Sequence, residues 1–100
     1  MGDRIGLKFR DDNGEENDII IHSHWMGRDL LKMAQEFYKE CDDDTKTEWV
    51  GTVTARFIFW MARKFMNYTG YPDIDLQTED DDCEDNGVWV MDMKTGVIGD

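Results

Sequence analysis

Residues 5–10 read Ile5-Gly6-Leu7-Lys8-Phe9-Arg10, and this stretch decides how the chain can fold. Apolar and polar side chains alternate along it, which predicts a strand with one buried and one solvated face. A polar run containing Asn13-Gly14 follows, and then the apolar run Ile19-Ile20-Ile21. Because Asn-Gly favours a tight turn, the pattern predicts a β-hairpin whose second strand ends near Trp25.

Two helical segments are predicted after the hairpin. From Arg28 to Cys41, apolar residues recur at three- and four-residue spacings, which is typical of an amphipathic helix. A second apolar-periodic stretch starts near Thr47 and ends at Thr69-Gly70-Tyr71-Pro72. Val, Thr and aromatic residues in this stretch also suit a strand, but its length exceeds that of a normal strand and favours a helix.

Two strands and a turn complete the predicted order. Short strands are expected near Ile74 to Gln77 and from Val88 to Met93, followed by a turn that places Gly96 at positive φ. The sequence therefore predicts an α+β domain spanning residues 1–100, with the element order ββααββ. In this prediction an antiparallel sheet of about four strands carries two helices on one face.

The charge of the chain limits the classes of partner. There are 23 acidic and 11 basic residues, a net charge of −12, which argues against direct binding to nucleic acid or to an anionic membrane. A basic protein partner is favoured instead. The imbalance is uneven, since residues 45–71 carry Lys46, Arg56, Arg63 and Lys64 against Glu48 alone.

The cysteines and the hydropathy pattern indicate the compartment. The sequence has no run of about 20 apolar residues, the length needed to cross a bilayer, and its first residues do not form an export signal. Two cysteines, Cys41 and Cys83, are too few for a disulfide scaffold. We therefore expect a cytoplasmic protein with two free thiols.

The acidic run before Asn86-Gly87 predicts a weak, calcium-type cation site as an alternative function. Mutual repulsion between crowded carboxylates would be relieved by a hard divalent cation. The EF-hand pattern fails, because its twelfth position would be Met93 where a bidentate Glu is needed. The competing interpretation is a solvated loop between two strands. The six carboxylates of the run are Glu79, Asp80, Asp81, Asp82, Glu84 and Asp85.

The two histidines suggest a second alternative, a small metalloenzyme. His22 and His24 point to the same side of the predicted strand, but a zinc site needs about three or four protein ligands. Packing of a neutral histidine against the sheet is the competing interpretation. Ser23, between them, points to the opposite face and so cannot use either as its base. No catalytic motif is recognised, and we expect no enzymatic activity and no cofactor.

The second predicted helix suggests an interaction surface. Residues 57–61 are all apolar, so they point in every direction around the helix axis and cannot all face a two-layer core. Either the helix is buried on several sides, or part of it forms an interface with a second copy or another protein. The candidate interface residues are Phe57, Ile58, Trp60 and Met61.

Three short patterns resemble a group of small uncharacterised proteins of bacteriophages, bacteria and archaea. They are His24-Trp25-x-Gly27-x-x-Leu30, Thr69-Gly70-Tyr71, and Val88-x-Val90-x-Asp92-x-x-Thr95-Gly96-Val97, and the similarity spans the chain from about Ile19 onward. The resemblance implies a similar architecture and supplies no catalytic residues. It also implies that a basic partner would be a nucleic-acid-binding protein, whose site carboxylates can imitate. The favoured function is a non-enzymatic protein-interaction module.

Overall fold

Five strands form one mixed sheet, and three helices separate the second strand from the third. The computed structural model describes residues 2–65, 73–79, 83 and 85–99. Its elements are β1 (Ile5–Arg10), β2 (Ile20–Ser23), α1 (Asp29–Glu40), α2 (Asp43–Lys46), α3 (Val50–Phe65), β3 (Asp75–Gln77), β4 (Val88–Asp92) and β5 (Ile98–Gly99).

The strand order is β3-β2-β1-β4-β5, and the central pair, β1 and β4, is parallel. The predicted α+β class and the antiparallel β1–β2 hairpin are confirmed. The prediction of four antiparallel strands in the order ββααββ is wrong in detail. β3 is antiparallel to β2, and β2 is antiparallel to β1, so β3 runs in the same direction as β1 and β4. β3 and β4 lie on opposite sides of the β1–β2 pair. A crossover therefore joins β3 to β4, and the sheet is mixed where an antiparallel one was expected.

Helix α1 begins and ends within one residue of the predicted bounds, Arg28 and Cys41, and one helix is added. The predicted end of the second helix, at Thr69-Gly70-Tyr71-Pro72, lies outside the described residues. The run after α1 forms the separate short helix α2, because the Asp42 carboxylate caps it by accepting a hydrogen bond from the Thr45 backbone N–H at 2.8 Å. For this reason the long helix starts at Val50, three residues later than Thr47. At the end of the chain Gly96 has φ of 75°, as the predicted turn requires.

The hydrophobic core lies between one face of the sheet and the helices α1 and α3. Ile5, Leu7 and Phe9 of β1 are fully buried, as their alternation predicts. The Phe9 ring lies 6.0 Å from that of Phe37 and 5.2 Å from that of Phe57, between ring centroids. Each such buried phenylalanine stabilises the fold by about 1.5–3 kcal/mol through removal of apolar surface from water.

The opposite face of the sheet is closed at its centre by Cys83. A Cβ placed on Gly6 would lie 2.7 Å from the Cys83 Sγ and 2.8 Å from the Ile20 Cγ2, closer than side chains can pack. Cys83 is itself buried, and it belongs to the segment between β3 and β4. The crossover therefore passes, at Cys83, over the face that the helices leave uncovered.

Candidate functional site

A groove of about 640 Å³ lies between the end of α1, the short helix α2 and the outer side of α3. Its volume falls within the range of about 300–1,000 Å³ typical of ligand sites. We call it the helical groove. Its lining combines aromatic side chains with charges of both signs: Phe37, Glu40, Cys41, Asp42, Thr45, Arg56, Phe59, Trp60, Arg63 and Lys64.

The helical period of α3 decides which apolar side chains reach the groove. Val53, Phe57 and Met61 recur every four residues and are fully buried in the core. Phe59 lies on the other side of the helix, and 68% of its surface is exposed. Trp60 lies at the boundary, half-buried against the core and lining the groove.

The four candidate interface residues are therefore divided between two environments. Phe57 and Met61 face the core, so an interface on α3 would have to use the opposite side of the helix. Ile58 and Trp60 are partly buried and pack against the core cluster. Sequence reasoning left out Phe59, although its position two residues from Phe57, about 200° around the helix, was a usable signal.

Trp60 forms the aromatic wall of the groove. Its ring stacks on that of Phe57, with 6.0 Å between centroids and 20° between planes, and meets that of Phe37 at 5.8 Å. The Lys64 ammonium lies 5.1 Å from the centre of the indole ring. The indole Nε1 is buried and lies near the Glu40 carboxylate, whose pKa a hydrogen bond from the Trp60 side chain helps to lower. Glu40 is thus the acceptor available to this buried donor.

The charged side chains of the groove differ in how firmly they are paired. Lys64 Nζ lies 3.0 Å from Glu40 Oε2, and this hydrogen bond, with a weaker effect of the nearby Trp60 indole, holds the pKa of Glu40 below its ordinary value. Arg56 makes a longer contact of 3.8 Å with Glu48. Arg63 forms no ion pair with any described residue. The two guanidinium groups are thus the groove cations most open to a ligand.

Cys41 is the one thiol that lines the groove. Burial raises the pKa of this thiol above its ordinary value, and the neighbouring Lys46 only partly offsets the effect. A thiol with a raised pKa is protonated at neutral pH and is a poor nucleophile. The position of Cys41 is therefore suited to packing and not to covalent chemistry.

The two histidines occupy different environments at the end of β2. His22 is buried, and its Nδ1 lies 2.6 Å from Oδ1 of Asp75, whereas His24 follows the strand and is exposed. The imidazole centroids are 6.4 Å apart. Burial raises the pKa of Asp75, but the hydrogen bonds from His22 and Gln77 outweigh it and leave that pKa lowered. His22 therefore holds the edge strand β3 to β2.

Ser23 points to the helix side of the sheet, away from His22. Its hydroxyl donates to Oδ2 of Asp73 at 3.2 Å and accepts from the backbone N–H of Met26 at 3.0 Å. Oδ2 of Asp73 also accepts from the backbone N–H of Trp25 at 2.8 Å. These contacts fix the chain between β2 and α1, so the role of Ser23 is structural.

The acidic run is only partly within the described residues. Glu79 is exposed, and Asp80, Asp81, Asp82 and Glu84 lie outside the described residues. Oδ2 of Asp85 accepts hydrogen bonds from the Arg4 backbone N–H at 3.0 Å and the Arg4 Nε at 3.1 Å, which lowers its pKa. Within residues 2–65, 73–79, 83 and 85–99, no three His, Cys, Asp or Glu side chains are grouped closely enough to hold a metal ion.

Comparison with known proteins gives no relative from which a site could be transferred. No family model, curated protein or solved structure matches the chain. The resemblance to small phage, bacterial and archaeal proteins stays a prediction. None of the helices in the described ranges is both long and apolar enough to span a membrane. The helical groove is thus identified by its own geometry.

Proposed function

We propose that the protein is a non-enzymatic protein-interaction module and that the helical groove is its contact surface. The observation that carries the proposal is the exposure of Phe59, 68% of whose surface is in contact with solvent beside the groove. Aromatic and arginine side chains dominate the binding energy of protein interfaces. Phe59, Trp60, Arg56 and Arg63 bring both kinds together in one concave surface.

The chemistry of the groove favours binding over catalysis. A nucleophile must be deprotonated or lie beside a base, and burial keeps the Cys41 thiol protonated. The carboxylate closest to the aromatic wall, Glu40, is held in an ion pair with Lys64 and has a lowered pKa, so it is a weak base. These groups can therefore contribute contact area and charge to the binding of a ligand.

The rest of the surface favours a partner with a basic face. Of the 11 basic residues, six make ion pairs between described residues: Arg4, Lys8, Arg10, Lys32, Arg56 and Lys64. With 23 acidic residues in the chain, most carboxylates have no cation to neutralise them. A strongly negative surface accelerates encounter with a positively charged protein and repels nucleic acid.

Site-specific photocrosslinking in the cells that produce the protein tests this function. Benzoylphenylalanine is placed at Phe59, and a matched variant carries it at Trp25, which is 61% exposed but does not line the groove. We expect a reproducible protein adduct from position 59 that is absent from position 25. Equal adducts at both positions, or none at position 59, would exclude the groove as the contact surface.

A further inference from the structure

We infer that the helical groove accepts an acidic segment of a partner protein in extended conformation, with an apolar side chain placed between two carboxylates. This inference rests on the proposed function and names the chemistry of the partner. The cations Arg56, Arg63 and Lys64 line the groove together with Glu40 and Asp42, on a chain of net charge −12. Lys64 is held by Glu40 at 3.0 Å, whereas Arg56 makes only a 3.8 Å contact with Glu48 and Arg63 makes no ion pair within the described part of the chain, so the two arginines are the cations left for a ligand.

Three side chains of α3 form a stripe that sets the pattern of the ligand. Arg56, Phe59 and Arg63 are separated by three and four residues, so they lie on one side of the helix. Seven residues of helix place the two arginine Cα atoms about 10 Å apart. The stripe therefore presents a cation, an aromatic ring and a second cation in a row.

An extended peptide can match this row. In an extended segment every second side chain points to the same side, and the rise is about 3.3 Å per residue. Carboxylates four residues apart, with an apolar side chain midway, span about 13 Å on one side of the peptide. Because arginine side chains are long and flexible, Arg56 and Arg63 can meet both carboxylates while Phe59 contacts the apolar residue.

The two arginines of the groove favour this ligand. The long 3.8 Å contact between Arg56 and Glu48 leaves room for a closer carboxylate, and Arg63 has no ion pair among the residues that the structure describes.

Fluorescence anisotropy with the purified full chain tests the inference. The probe is a fluorescein-labelled peptide of nine residues, with a central Phe separated by one Ser from an Asp on each side. We expect saturable binding, weakened about tenfold when both Asp are replaced by Lys or when the Phe is replaced by Ser.

Substitutions in the chain locate the peptide. Arg56→Gln and Arg63→Gln should each weaken binding about tenfold, because each removes a charge-assisted hydrogen bond. The control is Lys94→Gln, which removes an exposed cation outside the groove and should leave the affinity unchanged. All three variants should unfold at the same temperature as the parent chain, since these side chains are exposed.

Three results would overturn the inference. These are the absence of saturable binding, equal affinity for the Lys-containing peptide, or self-association in sedimentation velocity that Arg63→Gln abolishes. The last would make a second copy of the chain the occupant. If the peptide does not bind but photocrosslinking at position 59 still captures a protein, the proposed interaction function stands. Only the inference that the partner contributes an acidic segment is then wrong. If both experiments fail, the proposed function itself is wrong.

Discussion

At the scale of single residues, one buried carboxylate connects the hairpin to the longest helix. Asp11 is 2% exposed, and its Oδ1 accepts hydrogen bonds from the backbone N–H groups of Asn13 and Glu15, at 3.0 and 2.9 Å. Its Oδ2 accepts from the backbone N–H of Val50, at 3.3 Å, where α3 begins. The N-terminus of a helix favours negative charge, so Asp11 caps α3 from a distant part of the chain.

Replacement of Asp11 tests this role. Asp11→Ala leaves three backbone donors without their acceptor, and we expect the free energy of unfolding to fall by about 2–4 kcal/mol. Urea denaturation monitored by circular dichroism provides the measurement. Glu15→Ala, which truncates an exposed carboxylate of the same turn, should change stability by less than about 0.5 kcal/mol. Equal losses in both variants would contradict the assignment.

A second residue-scale prediction concerns the contact between Gly6 and Cys83. Gly6→Ala should lower the free energy of unfolding by about 1–3 kcal/mol, because the added methyl group meets the Cys83 Sγ and the Ile20 side chain. In the double variant with Cys83→Ala, the combined loss should be smaller than the sum of the two single losses. Additive losses in this double-mutant cycle would show that Cys83 does not cover Gly6.

At the scale of elements, local patterns predicted the pieces of the fold but not how the strands pair. Alternation in β1 and the three-to-four residue periodicity of α1 are local signals, and both elements are confirmed. The parallel pairing of β1 with β4 depends on the crossover above the sheet, and no local pattern encodes the direction of a strand relative to a distant one. An antiparallel sheet was therefore expected from the sequence.

The candidate site was predictable only in part, for a similar reason. The apolar run of α3 marks a helix with more than one apolar side, and the charge count marks its surroundings as basic. Helical periodicity alone predicts that Phe59 and Phe57 lie on different sides of α3. The groove itself needs walls from three helices, and α2 was not expected as a helix at all. Likewise, nothing in the sequence distinguishes Asp11 from Asp12 before the fold brings Val50 beside it.

Ion pairs at the end of β1 give an element-scale prediction about pH. Arg10 contacts Glu16 at 2.8 Å and Asp92 at 3.3 Å, and its hydrogen bond holds the pKa of Glu16 below the ordinary value of 4.5. A lowered pKa in the folded state contributes stability above the unfolded-state value, and this contribution is lost as the pH falls through the folded-state value. The stabilisation that Glu16 provides should therefore be present above the ordinary pKa of 4.5 and be lost as the pH falls below it, through the lowered folded-state pKa.

The measurement compares the parent chain with Arg10→Gln. Acidification also relieves repulsion among the many unpaired carboxylates, so the difference between the two proteins is the relevant quantity. We expect Arg10→Gln to be the less stable at neutral pH, with the difference shrinking as the pH is lowered below 4.5, the ordinary pKa of Glu16. Lys94→Gln serves as the control, since Lys94 makes no ion pair with described residues. A difference that stays constant with pH would refute the pairing.

At the scale of the whole molecule, repulsion between like charges opposes folding. With a net charge of −12 on 100 residues, the compact state brings carboxylates closer together than the unfolded chain does. Exposed acidic residues occur in the β1–β2 turn, around α2 and near β3, as Glu15, Asp18, Asp43, Asp44 and Asp73. Screening by salt should therefore stabilise this protein.

Thermal unfolding at two salt concentrations tests the point. Raising sodium chloride from about 0.01 to 0.15 M shortens the Debye length from about 30 to 8 Å. We expect the melting temperature to rise by several degrees, since about 1 kcal/mol corresponds to roughly 4–8 °C in a domain of this size. The triple variant Glu15→Gln, Asp18→Asn, Asp44→Asn removes three exposed charges and should respond less to salt. A melting temperature independent of salt in the parent chain would contradict this prediction.

The parallel pairing of β1 with β4 also affects how the chain emerges from the ribosome. β1 is synthesised well before its partner Val88–Asp92, because the hairpin and the helices lie between them in the chain. Until then the nascent hairpin carries an open strand edge, which is a template for intermolecular pairing. Lys8 and Arg10 lie along that edge, and positive charge is a common protection of open edges. Glu16 belongs to the hairpin and can already pair with both cations there, whereas Asp92 of β4 contacts Arg10 only in the finished protein.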